Sequence, residues 1–161
     1  LFDPNVTFDD IRWIKEISNG LPVIVKGIMT AQDAIAAVDA GADAILVSNH
    51  GGRQLDGCLG TIDVLPEVVA AVPNVPVLLD GGVRRGTDVL KALALGAAAV
   101  GIGRPLFFAL SVDQVDDMLH MLKRELENAM ALTGCATISN VTPDLVTRGP
   151  AHRTPYVRAK L

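Results

Sequence analysis

Residues 75–103, VPVLLDGGVRRGTDVLKALALGAAAVGIG, pass from an apolar run through a glycine pair and a helical pattern to a second apolar run. The two runs, 75–80 and 98–103, are rich in Val, Leu, Ile and Ala and close on polar or glycine residues. They show no in/out alternation, so the expectation is a parallel sheet buried on both faces under helices. Residues 87–95 between them read as a helix closed by Gly96, the residue type that tolerates the left-handed conformation past a helix end.

Working outward, the same pattern recurs. Runs 21–26 and 44–48 read as two earlier strands, and residues 30–40 and 62–72 as helices, the first with Thr30 as N-cap and Gly41 just past its end. The order is β-α-β-α-β-α-β. A helix over 7–18 leads in, with Phe8, Ile11, Ile14 and Ile17 at helical spacing, Asp9 and Asp10 after Thr7, and Asn19-Gly20 as its stop. A longer helix over 115–133 places Val115, Met118, Leu119, Leu122, Leu126 and Met130 on one stripe and stops at Gly134, a pattern that reads as core packing.

The length of 161 residues suits one domain and is short for an eight-stranded α/β barrel of about 250 residues. With 50% apolar, 4% aromatic and 20% charged residues, collagen-like, disordered and disulfide-scaffold classes are excluded. The net charge of -4 is a poor footprint for a phosphate backbone, so no nucleic-acid partner is expected. Residues 92–102, the most apolar stretch, are broken by Gly96 and Gly101 and are too short for a bilayer, so no membrane span is expected. Cys58 and Cys135 lie outside any CxxC spacing and read as two reduced thiols, with no metal site. The start at Leu1 without a Met or a signal-peptide pattern reads as a truncated or processed product. Residues 148–161, with Pro150 and Pro155, read as an extended tail.

Polar residues collect where the strands end: Lys26 after the first, Ser48 and His50 after the second, Asp80 after the third and Arg104 after the fourth. In a parallel barrel or open sheet these carboxyl ends share one face, so distant residues converge on one site. Gly81 and Gly82, and Gly101 with Gly103, let backbone amides approach a ligand, and Arg84 and Arg104 add charge beside them, the makings of a phosphate site. Arg85 reads as a solvated residue pointing away. In Ser48-Asn49-His50-Gly51-Gly52-Arg53-Gln54, His50 can act as a general base near neutral pH and Arg53 as a two-point clamp on a carboxylate, which together suggest an acid substrate. Lys26 reads as a charge-stabilising group. His120 and His152 lack such a setting and read as structural or exposed.

The stretches LPVIVKGIMTAQDA (21–34), VSNHGGRQLD (47–56), LLDGGVRRGTDVLKALALGA (78–97) and GIGRP (101–105) closely resemble the carboxyl-terminal half of the FMN-dependent 2-hydroxy-acid oxidase and dehydrogenase family. The resemblance implies an α/β fold that is the C-terminal half of a TIM (β/α)8 barrel over residues 1–147: four parallel strands with covering helices and a long C-terminal helix. It implies FMN as cofactor, with Lys26 at the flavin N1 and O2 region and Ser48 and Asp80 as flavin and ribityl contacts. Gly82, Arg84, Gly103 and Arg104 become the phosphate grip, His50 the catalytic base and Arg53 the clamp on the substrate carboxylate. The implied activity is oxidation of a small 2-hydroxy acid, glycolate- or lactate-like, to the 2-oxo acid, with oxygen as electron acceptor giving hydrogen peroxide, in a homo-oligomer. The family's active-site tyrosines and base-orienting aspartate lie upstream of these motifs. Tyr156, in the tail, is no substitute.

Two other readings compete. One is a non-catalytic flavin- or phosphate-binding half-barrel or truncated isoform. The other is a phosphate-binding barrel of a nucleotide dehydrogenase, which leaves SNHGGRQ unexplained. Ala159-Lys160-Leu161 resembles an SKL-type address and points to the peroxisome, with the cytoplasm as the alternative.

Overall fold

In the computed structural model, which describes residues 3–147 and 149, the apolar runs and helical patterns become the expected alternation. The elements are α1 (Phe8–Ile17), β1 (Ile24–Ile28), α2 (Ala31–Asp39), β2 (Ala44–Val47), α3 (Thr61–Ala71), β3 (Val77–Asp80), α4 (Gly86–Ala94), β4 (Ala99–Gly101), α5 (Arg104–Leu110) and α6 (Val115–Leu132). The strands pair in parallel in the order β1-β2-β3-β4. All four carboxyl ends therefore lie on one side. The tail with His152, Tyr156 and Ala159-Lys160-Leu161 lies outside the described residues.

Local chemistry sets the helix boundaries. Thr30 accepts the Asp33 amide at 3.1 Å to start α2, and the Asp10 carboxylate takes the Thr7 amide at 2.6 Å to start α1, both satisfying amides that a first helical turn leaves open. Gly41 and Gly96 follow α2 and α4 at φ +103° and +97°, in the conformation a side chain would strain.

The two faces of the sheet differ: the apolar runs by themselves predict burial on both, whereas four strands of an eight-stranded barrel leave the inner face open, and the structure follows the second expectation. Val25, Ile45, Val47, Val77, Leu79 and Val100 pack with α2, α3 and α4 into one core, where Ile45 and Val47 are fully buried. The register aligns Lys26 with Leu46, Leu46 with Leu78, and Leu78 with Ala99 on the opposite face. Among the described residues no helix covers that face, and Ile24 on it is 50% exposed. Uninterrupted apolar runs carry no mark of which side a helix covers. The sequence reading also placed Lys26 after β1. It lies inside the strand, which continues past Gly27, at φ +101°, through a register shift to Ile28. Helix α5, beginning at Arg104, was not anticipated, because its seven residues show too little periodicity to register.

A second apolar cluster joins Leu90 and Ala94 of α4 to Ala129 of α6 and to Cys135 and Val141 beyond it. Helix α6 thus forms an outer layer on α4, the packing role expected of its stripe. The approach is close at Gly86, where a Cβ would meet Leu126 N at 2.2 Å and Glu125 C at 2.5 Å. At the amino-terminal side of the sheet, the Asp43 carboxylate receives Lys15 Nζ at 2.7 Å and the Val23 amide at 2.6 Å, tying α1 to the entries of β1 and β2. Hydrogen bonding from Lys15, then from the Val23 amide, holds the Asp43 carboxyl below its usual range.

Two outcomes follow for stability. Gly86→Ala should destabilise the chain by about 1–3 kcal/mol, the usual cost of overpacking, as read by urea denaturation; a variant as stable as the parent contradicts the α4–α6 contact. Because the Asp43 pKa is lower folded than unfolded, its contribution is complete above the ordinary carboxylate range and fades as pH falls through the folded value. The stability gap between the parent and Asp43→Asn, measured by denaturation across pH, should therefore close on acidification. A gap that stays constant contradicts the assignment.

Candidate functional site

At the carboxyl ends of the strands one polar cluster forms across β1, β2 and β3. Lys26 is on the uncovered face, and its ammonium reaches along that face to Ser48 Oγ, at 2.7 Å, and to the Asp80 carboxylate, with which it forms an ion pair. Residues of equal register parity in a parallel sheet share a face, which is why a lysine mid-strand meets side chains at the ends of its neighbours. Ser48 is 2% exposed. Its oxygen also accepts the His50 amide at 3.1 Å, so one hydroxyl joins the lysine to the histidine loop.

That loop turns unusually. His50, Gly51 and Gly52 form a short helical turn in which all three have positive φ, +54°, +65° and +72°. Glycine adopts this freely, and histidine is among the residues enriched there. The Arg104 guanidinium, at the start of α5, donates to the Gly51 carbonyl. A Cβ on Gly51 would sit 2.7 Å from that guanidinium, so the glycine is what lets the fourth strand's arginine reach the second strand's loop. His50 and Arg53 are both exposed, the histidine at the head of the turn and the arginine just past it.

The second loop, after β3, begins with Gly81 and Gly82 at φ +91° and +81°. Thr61, 3% exposed, donates its hydroxyl to the Gly81 carbonyl at 3.2 Å. Asn49 Nδ2 donates to the Leu59 carbonyl at 3.1 Å, and its Oδ1 lies 3.3 Å from where a Gly81 Cβ would stand. The amides of Arg84 and Arg85 donate to Asp88 at 3.1 and 3.0 Å, and the Gly86 amide to Glu125 at 2.8 Å. Arg85 is exposed and points away from the strand ends, as expected from sequence, and its guanidinium pairs with Glu125 of α6, 40 positions away, at 3.1 Å. Arg84 remains exposed.

The structure thus joins Lys26, Ser48, Asp80, His50 and, through Gly51, Arg104. Gly82 and Gly103 have open space where a Cβ would be, while Arg53 and the Arg84 side chain stand apart from the bonded set. Sequence reasoning missed Asn49, Thr61 and Glu125. Asp88 carried a signal, since an acid three residues after Arg85 is the spacing of a helix-start cap. His120, on α6, is exposed. Cavities of about 460 Å³ beside Met130 and Cys135, and about 140 Å³ beside Ile35 and Val75, lie away from the strand ends. Among the described residues no group of three or more His, Cys, Asp or Glu is arranged to hold a metal ion, and no helix is long and apolar enough to cross a membrane.

The donor set fits a phosphorylated flavin. Two glycine-lined turns offer unobstructed backbone, Arg84 and Arg104 supply cations beside them, and the Lys26 ammonium is available for a polar ring edge. Comparison with known proteins agrees. Residues 1–148 match the family model described as FMN-dependent dehydrogenase. The chain is 57% identical over 145 residues to a peroxisomal (S)-2-hydroxyacid oxidase of Arabidopsis thaliana, covering 88% of this chain and 40% of that one. It is 53% identical over 152 residues to 2-hydroxyacid oxidase 1 of Mus musculus, covering 92% and 41%. A crystal structure of mandelate oxidase with 3,3-difluoro-2-hydroxy-3-phenylpropionic acid superposes at a TM-score of 0.82 with 47% identity, over 86% of this chain and 43% of that one. The chain spans about two fifths of the length of the curated relatives it matches, and its four β/α units are the C-terminal half of a TIM-type barrel.

Ser48→Ala removes the acceptor for both Lys26 and the His50 amide. It should lower stability by about 1–3 kcal/mol, the cost of stranding partly buried donors, measured by chemical denaturation. A parent-like midpoint contradicts the shared-hydroxyl geometry.

Proposed function

The chain belongs to the FMN-dependent dehydrogenase family, and from that premise we propose that it supplies the cofactor-binding and base-bearing half of an FMN-dependent (S)-2-hydroxy-acid oxidase. The observation that carries this reading is the linked set Lys26–Ser48–His50 with Asp80 at the strand ends. The matched relatives are named as hydroxy-acid oxidases. The substrate class is a small 2-hydroxy acid such as glycolate or lactate, and oxygen is the electron acceptor, giving hydrogen peroxide.

FMN, when bound, supplies a two-electron acceptor for oxidation of the substrate alcohol. The residues of this chain do the rest. Gly82, Arg84, Gly103 and Arg104 hold the phosphate, Ser48 and Asp80 hold the flavin and its ribityl chain, and the Lys26 ammonium balances negative charge at the ring edge. Arg53 pairs with the substrate carboxylate and fixes which face of the molecule meets His50. His50 takes the proton released from the substrate on its imidazole, which a histidine can do near neutral pH. The Ser48 hydroxyl, accepting from the His50 amide, and Arg104, donating to the Gly51 carbonyl, keep that loop in its left-handed turn, so the backbone that carries the imidazole is set before substrate arrives.

The bounds proposed for the barrel half are residues 1–147. Among the described residues β1 and β4 end the sheet without a further partner strand, and exposed edges favour association; a homo-oligomer is the assembly proposed. The peroxisomal name of the Arabidopsis relative supports reading Ala159-Lys160-Leu161 as a peroxisomal address.

The test joins this chain to the amino-terminal remainder of the Arabidopsis thaliana relative and follows flavin reduction by stopped flow. His50→Ala should slow reduction by about 10²–10⁴-fold, the usual contribution of a general base, with substrate binding little changed. Arg53→Ala should weaken binding of carboxylate substrates and slow reduction as well. Reduction of the His50→Ala form at the parent rate removes the histidine from the role of base. Arg84→Ala and Arg104→Ala should each weaken FMN binding by about 1.5–3 kcal/mol, the value of one charge-assisted contact. Unaltered flavin retention in both variants contradicts the phosphate assignment.

A further inference from the structure

The segment between β3 and α4 is held by acids that the proposed chemistry does not use. Asp88 takes the amides of Arg84 and Arg85, and Glu125 takes the amide of Gly86 at 2.8 Å. Three successive amides at the start of α4 are therefore committed to carboxylates. They are not available to an anion, although a helix start ordinarily offers such groups. Glu125 also neutralises Arg85 through its second oxygen at 3.1 Å, and its side chain is only 22% exposed. Of two adjacent exposed arginines, one is thus paired with α6 and the other, Arg84, remains beside the Gly81–Gly82 turn.

The contact is built on both sides. Gly86 is buried, and the position of its absent Cβ is occupied by the backbone of Glu125 and Leu126. No other residue would let α4 start so close to α6. At the opposite end of the segment the Thr61 hydroxyl fixes the Gly81 carbonyl. The loop is consequently pinned before its first glycine peptide ends and again where the helix begins, with Gly82, Val83 and the Arg84 side chain between the two anchors.

We infer that Glu125 is a positioning residue for phosphate recognition: by capping Gly86 and holding Arg85, it fixes the Gly81–Gly82 turn and makes Arg84 the cation that meets the phosphate. The inference rests on the reading of this turn as the phosphate grip. Glu125 itself touches no ligand. It acts through the two neighbours that it restrains.

The experiment titrates the full chain with FMN and with riboflavin, which lacks the phosphate, and follows flavin fluorescence. The readout is the ratio of the two affinities. In the parent, FMN should bind more tightly than riboflavin, and Arg84→Ala should abolish most of that preference. Glu125→Ala should reduce the preference about tenfold, the equivalent of one charge-assisted contact, with riboflavin affinity unchanged. Glu125→Gln, which keeps an acceptor for the Gly86 amide, should restore most of the preference and guards against a folding defect in the alanine form. A parental or raised ratio in Glu125→Ala overturns the inference, as does an equal loss for both flavins, which would mark a purely structural role. If Arg84→Ala keeps the parental ratio, or if the parent does not prefer FMN, the phosphate reading of the turn fails first and the role of Glu125 fails with it.

Discussion

A lysine ammonium held between a serine and an aspartate from two neighbouring strands is the contact on which the site depends. Lys26, Ser48 and Asp80 come from three strands whose only common feature is direction. Parallel pairing brings their carboxyl ends together, and equal register parity puts the lysine on the same face as its partners. The arrangement places a cation and a carboxylate side by side on a surface that no helix covers among the described residues. An ion pair this exposed contributes little to stability, and in the proposed reading it presents charge to the cofactor.

Around that contact the loops are set by backbone conformations that few sequences accept. Three consecutive positive-φ residues carry His50 at their head, and two more follow β3. Neither turn is left to hold itself. Ser48 and Arg104 fix the first, and Thr61, Asp88 and Glu125 fix the second. The glycines permit close approach, and the hydrogen bonds from neighbouring elements make one geometry persist. Preorganisation of this kind is what a base and a phosphate site both require. Helix α6, far from the strand ends, takes part through a single carboxylate.

The alternation of strand and helix was legible because buried parallel strands and capped helices leave local signatures, and Thr30 and Gly41 fall where the helix ends require them. Convergence of Lys26, Ser48, His50 and Asp80 on one face followed from topology alone. Other features carry no local mark. The uncovered sheet face follows from four strands being half of a barrel and not from the runs themselves, since Leu46 and Leu78 on it are as apolar as Ile45 and Leu79 behind it. Lys26 looked like a strand end because a charge usually marks one, and nothing local reveals that Gly27 bends the strand onward. The partners of Arg85 and Gly81 lie on other helices, so their contacts exist only in the folded chain. Thr61 and Glu125 carry no motif, and each is recognisable only by what it touches.

In the proposed function the strand ends of this chain hold a flavin phosphate between the Gly81–Gly82 and Gly103–Arg104 turns while His50 and Arg53 face a hydroxy acid. The most direct measurement is a crystal structure of the chain, joined to the amino-terminal remainder of a relative and grown with FMN and glycolate. Phosphate oxygens should lie against the Gly82 backbone and the Arg84 and Arg104 guanidinium groups, the flavin ring edge at Lys26, and the carboxylate on Arg53 with the substrate hydroxyl or its carbon toward His50. A phosphate bound at Arg85 and Glu125, or a flavin lying away from Lys26, would contradict it.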